Sequence, residues 1–289
     1  MKTTILAAAS IVALSVAGAA FAAPAVPLMP LADGTANTNA VVEQVGDSNS
    51  ANVNQLNAIA ATAVVIQGTG TTNANNSVAV VKQQAGSSGE QAVVLQSFNG
   101  NNANVYQGGQ NERAGVLQYG NNNGAAITQT GVGNGSPDLW GLGFTNGANA
   151  APMALTLATG ASAYAADPYW TYLNVQAQGW EGVGILQVGD ANSATTTQGG
   201  THNAALTIQV GNSNLGNVTQ TGSDGYAQLT QTGNNNTATV GQSAANDAAL
   251  VYQNGTYNQA YVSQSTAAAW STVRTSACPA ASAGPAART

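Results

Sequence analysis

Polar, small, β-forming and amide residues recur along this chain with two nested periods. Counting back from a Gln in steps of two gives the same set repeatedly: Asn49-Ala51-Val53-Gln55, Ser77-Ala79-Val81-Gln83, Asn101-Ala103-Val105-Gln107, Asn123-Ala125-Ile127-Gln129, Asn203-Ala205-Thr207-Gln209, Asn236-Ala238-Val240-Gln242 and Asn258-Ala260-Val262-Gln264. Residues two apart share a face only on an extended strand, so each set predicts a β-strand. Between a Gln and the next polar start stand four residues such as Val-Gly-Asp-Ala or Thr-Gly-Asn-Asn. These are turn formers, with Gly where a positive φ is needed.

The anchors are Gln44, Gln55, Gln67, Gln83, Gln96, Gln107, Gln118 and Gln129, then, after a gap, Gln176, Gln187, Gln198, Gln209, Gln220, Gln231, Gln242, Gln253 and Gln264, which predicts seventeen strands. Spacing is eleven almost throughout, widening to twelve, sixteen and thirteen on the way to Gln67, Gln83 and Gln96, where longer turns are expected; Gln178 competes with Gln176 as an anchor. Two units per turn give a repeat of about 22 residues, in the range that marks a solenoid. The predicted fold is all-β, a two-sided parallel β-solenoid with about two strands per 22-residue coil.

In that geometry every second strand lies about 4.8 Å above its predecessor, so like stacks on like and some eight and a half coils make a rod of roughly 40 Å. The stacking explains the amides. A buried Gln or Asn is costly alone, but in a column each N–H meets the amide oxygen of its neighbour. The expected ladder therefore comprises the glutamines above, Gln176 set aside, with Asn49, Asn101, Asn123, Asn192, Asn203, Asn214, Asn236 and Asn258. Both ends of such a rod present long uncharged strand edges, which invite another copy to add.

Departures from the repeat set the domain organisation: repeats over 38–134, a non-repeat insertion over 135–170 rich in Pro, Gly and Trp, repeats again over 171–264, and a low-complexity tail over 265–289. Outward positions are apolar on alternate strands, as at Val41, Val64, Val93 and Leu117, and then at Leu206 and Leu250. The parity of those strands flips across the gap. Either the insertion contributes one more strand, near Leu139 to Thr145, or the Gln176 arc is not a rung; both give one continuous apolar face. The first ladder position is acidic at Glu90, Glu112, Glu181 and Asp247. Two readings stay open for these carboxylates: gatekeepers that break the amide column and slow assembly, or turn residues that lean into water.

Composition narrows the function. Charged residues are 6% of the chain and the formal net charge is −6, which disfavours nucleic acid as a partner. Residues 1–22 carry Lys2, an apolar run and Ala20-Phe21-Ala22, which predicts a signal peptide cleaved between Ala22 and Ala23, followed by a flexible segment over 23–37. No later run is long and apolar enough to span a bilayer, so no membrane span is expected in the mature chain. Cys278 is the one cysteine and His202 the one histidine, so no disulfide, metal, cofactor or catalytic constellation is expected and the chain reads as a non-enzyme.

The motif Q-x-G-x-x-N-x-A-x-x-x-Q, seen as "QYGNNNGAAITQ", "QVGDANSATTTQ", "QGGTHNAALTIQ" and "QNGTYNQAYVSQ", resembles the curlin repeat of bacterial curli, the secreted amyloid fibres of the biofilm matrix. The resemblance covers most of 38–134 and 171–264. It implies export through an outer-membrane secretion pore, extracellular polymerisation of the chain with itself on a nucleator subunit, and a role in adhesion at the bacterial cell surface; a nucleator role for the chain itself is also compatible. The different reading from the residues alone is a soluble monomeric solenoid that binds a regular surface, ice or polysaccharide, through Thr195, Thr196, Thr197, Thr237 and Thr239, though such a face would be broken by Asn217 and Tyr261.

Overall fold

The computed structural model describes residues 38–55, 58–68, 73–84, 87–134 and 183–276. The expected leader with its Ala22–Ala23 junction, the segment before 38, Gln176, Glu181, Cys278 and the whole insertion over 135–170 lie outside the described residues.

Parallel strands wind into two facing sheets, as the repeat predicts. The long sheet runs β1 (Asn39–Gln44), β3 (Thr62–Gln67), β6 (Gln91–Asn99), β8 (Arg113–Tyr119), β10 (Val183–Val188), β12 (Ala204–Val210), β14 (Tyr226–Asn234), β16 (Ala248–Thr256) and β18 (Trp270–Ser276). A short strand, β4 (Ala74–Asn75), pairs with β6 off this path. The other, short sheet holds β2 (Ser50–Asn54), β5 (Val78–Gln83), β7 (Asn102–Gln107), β9 (Gly124–Gln129), β11 (Ser193–Gln198), β13 (Leu215–Gln220), β15 (Thr237–Gln242) and β17 (Gln259–Gln264). Every pairing is parallel, and along both sheets the register sets Gln against Gln in the regular coils, as in β10 with β12 and β11 with β13, until Thr275 meets Gln253 in the last strand.

The core is the thin space between the sheets. Ala and a β-former from each strand meet there, for example Ala103 with Val105 and Ala114 with Val116, all at most 2% exposed. Where Leu229 takes the place of Val, the facing position is Gly216, whose missing Cβ would stand 2.7 Å from Leu229 Cδ2. The volumes compensate across the core.

The corners stack as tightly as the strands. Gly120, Gly189, Gly211 and Gly233 hold φ between +107° and +132°, and a Cβ on each would lie 2.0–2.1 Å from the carbonyl oxygen of the equivalent glycine one coil on. Only Gly fits a turn that must nest on a copy of itself.

Two findings differ from the sequence reading. Strand β8 pairs directly with β10, and β9 with β11, so both sheets cross the gap with no rung for a Gln176 arc between Gln118 and Gln187. The apolar outer positions then fall on one sheet, and Val64, Leu206, Ile208, Tyr226 and Leu250 there are buried although they point away from the core. Second, the segment from Ser265 opens with a strand. β18 continues the long sheet because Ser271, Val273 and Thr275 keep period two one coil after Ala249, Val251 and Gln253. Its ladder position is Thr275, so an anchor count misses it.

Candidate functional site

Within each sheet the glutamines form an unbroken column. In the long sheet Nε2 of Gln44, Gln67, Gln96, Gln118, Gln187, Gln209 and Gln231 donates to Oε1 of the next member, ending at Gln253, over 2.6–2.9 Å. In the short sheet Gln55, Gln83, Gln107, Gln129, Gln198, Gln220 and Gln242 do the same toward Gln264, over 2.7–3.1 Å. The direction never changes: donors point toward the C-terminal end.

The second amide hydrogen has its own destination. It goes across the core to the backbone carbonyl of the first strand residue on the opposite sheet: Gln107 to Gln91, Gln118 to Asn102, Gln209 to Ser193 and Gln231 to Leu215, at 2.9–3.1 Å. Gln107, Gln118, Gln209 and Gln231 thus satisfy both donors and the acceptor while 0% exposed, so the usual penalty for burying an amide is removed. These bonds tie the two sheets together. Sequence reasoning anticipates the column and not this cross-tie, because the target is a backbone oxygen with no residue signature.

Asparagines line one corner, the turn from the long sheet to the short one. Oδ1 of Asn101, Asn123, Asn192, Asn214 and Asn236 accepts the backbone N–H of the next coil at 3.0–3.1 Å, and Nδ2 reaches a turn-glycine carbonyl one coil on, as from Asn192 to Gly211. Asn49 and Asn258 stand at the ends of this column, and Ser77 occupies one of its positions. Asn203 belongs elsewhere. It lies in the opposite corner, above Asn134 and below Gly225.

That second corner is mixed: Ala61, Glu90, Glu112, Asn134, Asn203, Gly225, Asp247 and Ala269 follow one another. Glu181, expected in this column, lies outside the described residues, and Asn134 fills the place between Glu112 and Asn203. "QTGVGN" at 129–134 carries the motif that could have found it. Glu90, Glu112 and Asp247 are 0–1% exposed, so none of them leans into water. Asp247 imitates Asn, accepting from the backbone N–H of Ala244 and of Ala269.

The two glutamates are different. Glu112 Oε2 accepts from the amides of Gly108 and Gly109, but its Oε1 and both oxygens of Glu90 are buried without a hydrogen-bond partner. Burial pushes Glu112 up to about 7, with the Glu90 charge one coil away adding to it against the backbone amides. Glu90 is raised as well, chiefly by burial.

Other chemistry is sparse. His202 and Asp224 pair at 3.6 Å on the exposed corner. Among the described residues no group of three or more His, Cys, Asp or Glu could hold a metal ion, and no helix is long and apolar enough to cross a membrane. What the geometry offers is a template: parallel columns of identical residues whose bonding capacity is directed along the rod axis.

A search of curated proteins finds no match. The family model for the curlin associated repeat matches twice, at residues 99–131 and 189–222. These stretches span β7 to β9 and β11 to β13 with their corners, on either side of the insertion. The coil seen in the structure and the curlin associated repeat coincide over these two stretches, so the chain carries that repeat on both sides of the insertion.

Proposed function

We propose that the chain is a secreted structural subunit of curli-like extracellular amyloid fibres, assembling with itself by end-to-end stacking of solenoid coils and serving adhesion and the biofilm matrix. The observation that carries this reading is that amide columns run through both sheets, from Gln44 to Gln253 and from Gln55 to Gln264, and that among the described residues no further strand pairs with the terminal strands, β1 and β18 in one sheet, β2 and β17 in the other. A parallel in-register edge is a template for another such edge. The curlin repeat supports the fibre over other uses of a solenoid. A nucleator subunit and an outer-membrane secretion pore complete the proposal as partners.

The surface-binding alternative has one short feature in its favour. Thr128, Thr197 and Thr219 form an outward column on consecutive coils, which ends at Tyr106 on one side and Gly241 on the other. Three coils make a small array for a periodic ligand. Incubation of purified chain, followed by thioflavin or Congo red binding and fibre diffraction, tests the choice: spacings near about 4.7 and 10 Å are expected. A chain that stays monomeric and gives neither signal sinks the fibre reading and favours the soluble binder.

A further inference from the structure

The two ends of the rod are unequal, and their difference specifies how one copy meets the next; this inference rests on the fibre reading. Every Gln donates toward the C-terminal end, yet there the columns stop short. Thr275 stands where the long-sheet column needs its next amide. In the short sheet Gln264 turns Nε2 onto Ala248 O, Ala269 O and Ser271 Oγ of its own chain. The long sheet also has one more strand along its path than the short sheet. A copy whose β1 stacks on β18 therefore leaves a strand-wide step between Gln264 and the next Gln55. Amide columns alone cannot select this joint.

Side chains on the terminal strands can. Within the molecule the ladder positions pair with one another, Gln44 with Gln67 and Gln253 with Thr275. Continuing that register places Thr275 against Gln44 of the next copy, Val273 against Val42 and Ser271 against Ala40, a small and β-forming set like that of every inner coil. On the outer face the same register places Arg274 against Glu43. Arg274 is exposed and lies over the Tyr252 ring at 5.6 Å, while Glu43 is half-buried on the terminal strand at the other end. Lys82, Arg113 and Arg274 are the basic residues among those described. One of them stands at one end of the rod, one position before the ladder residue, and an acid holds the same position at the other end.

We propose that β18 of one copy pairs in parallel with β1 of the next, and that Arg274 facing Glu43 of that copy selects the register. Opposite charges directly across a strand pair attract, and like charges repel. The pairing is heterologous, so it does not close and generates a filament of fixed polarity.

Seeded elongation of purified chain at low salt tests it. Arg274→Glu and Glu43→Arg each place like charges at every joint and are expected to slow elongation by about fivefold or more. In an equimolar mixture of the two variants, the acid introduced by Arg274→Glu meets the base introduced by Glu43→Arg. At the next joint the unaltered Arg274 of one variant meets the unaltered Glu43 of the other, so alternating addition restores the rate of the unaltered chain. Raised salt narrows the differences. Single variants that elongate like the unaltered chain, or a mixture no faster than either variant alone, overturn the proposal. A lack of fibres from the unaltered chain instead removes the fibre reading itself.

Discussion

Glu112 and Glu90 occupy adjacent coils of a corner where Asn134 and Asn203 show how the position is normally satisfied: an acceptor for the next coil's N–H and a donor for a turn carbonyl. A carboxylate supplies the acceptor but no donor unless it is protonated. Burial supplies the pressure toward that form, raising Glu112 from 4.5 to about 7. The sign follows from linkage. The unfolded carboxyl releases its proton near 4.5 and the folded one near 7, so the contribution is fully present below 4.5 and is lost as pH rises through 7. The thermal midpoint of the chain is expected to rise as pH falls from about 8 to 5, and Glu112→Gln, which keeps the acceptor for Gly108 and Gly109, raises the midpoint at the alkaline end and flattens the profile. Melting curves followed by circular dichroism across this range decide it; an unaltered chain indifferent to pH removes the argument. A stability gained on protonation is also what a brake on assembly in neutral or alkaline medium requires, which gives the gatekeeper reading of Glu90 and Glu112 a physical form. Asp247 differs in geometry, since each of its oxygens accepts a backbone N–H, from Ala244 and from Ala269.

Single strands carry the next level of specificity, in the matching of volumes across a core two side chains thick. Ala on one sheet faces Val on the other through most of the rod, and the exception shows how strict the match is. Leu229 fits because Gly216 faces it. Gly216→Ala is expected to destabilise the rod by about 1–3 kcal/mol through overpacking, and adding Leu229→Val to that variant returns most of the loss, because it restores the pair found on neighbouring coils. A double-mutant cycle by chemical denaturation reads this coupling; additive effects reject it. The strands themselves were legible in the sequence because a buried face alternates with an outer one at period two, and the corner glycines because a positive φ leaves few choices. Other features were not. The cross-sheet bonds of Gln end on backbone oxygens that any residue supplies. β18 keeps the strand alternation at Ser271, Val273 and Thr275 but lacks the amide by which strands were counted. Asn134 carries the right motif, but the periodicity is lost directly after it, and Glu181 has the same offset from Gln187 as Asn203 has from Gln209.

That equivalence decides how the whole molecule accommodates its long interruption. Gln129 and Gln187 are neighbours along the winding, since β9 leads to β10 and their partners stack without a missing coil. Asn134 completes the corner after Gln129, accepting the backbone N–H of Arg113 on its carbonyl and that of Asn203 on Oδ1. On the neighbouring coil one residue, Arg113, separates the corner position Glu112 from Ala114, the partner of Val183. Deleting residues 135–181, 47 in number, joins Asn134 to Gly182 and brings Gln129 and Gln187 to the regular spacing of eleven. The amide columns Gln118 to Gln187 and Gln129 to Gln198 bridge this point through contacts made wholly by described residues. The shortened chain is therefore expected to fold with its coil register intact. A shorter loop also costs less entropy to close, by about 1 kcal/mol or more for so large a change. Cysteine pairs at outward positions of adjacent coils, Thr128 with Thr197, offer the direct readout: they cross-link equally in the full and the shortened chain if the register is kept. Loss of that cross-link on deletion would mean that the insertion holds the two halves of the rod in place rather than leaving the winding at a corner and returning to it.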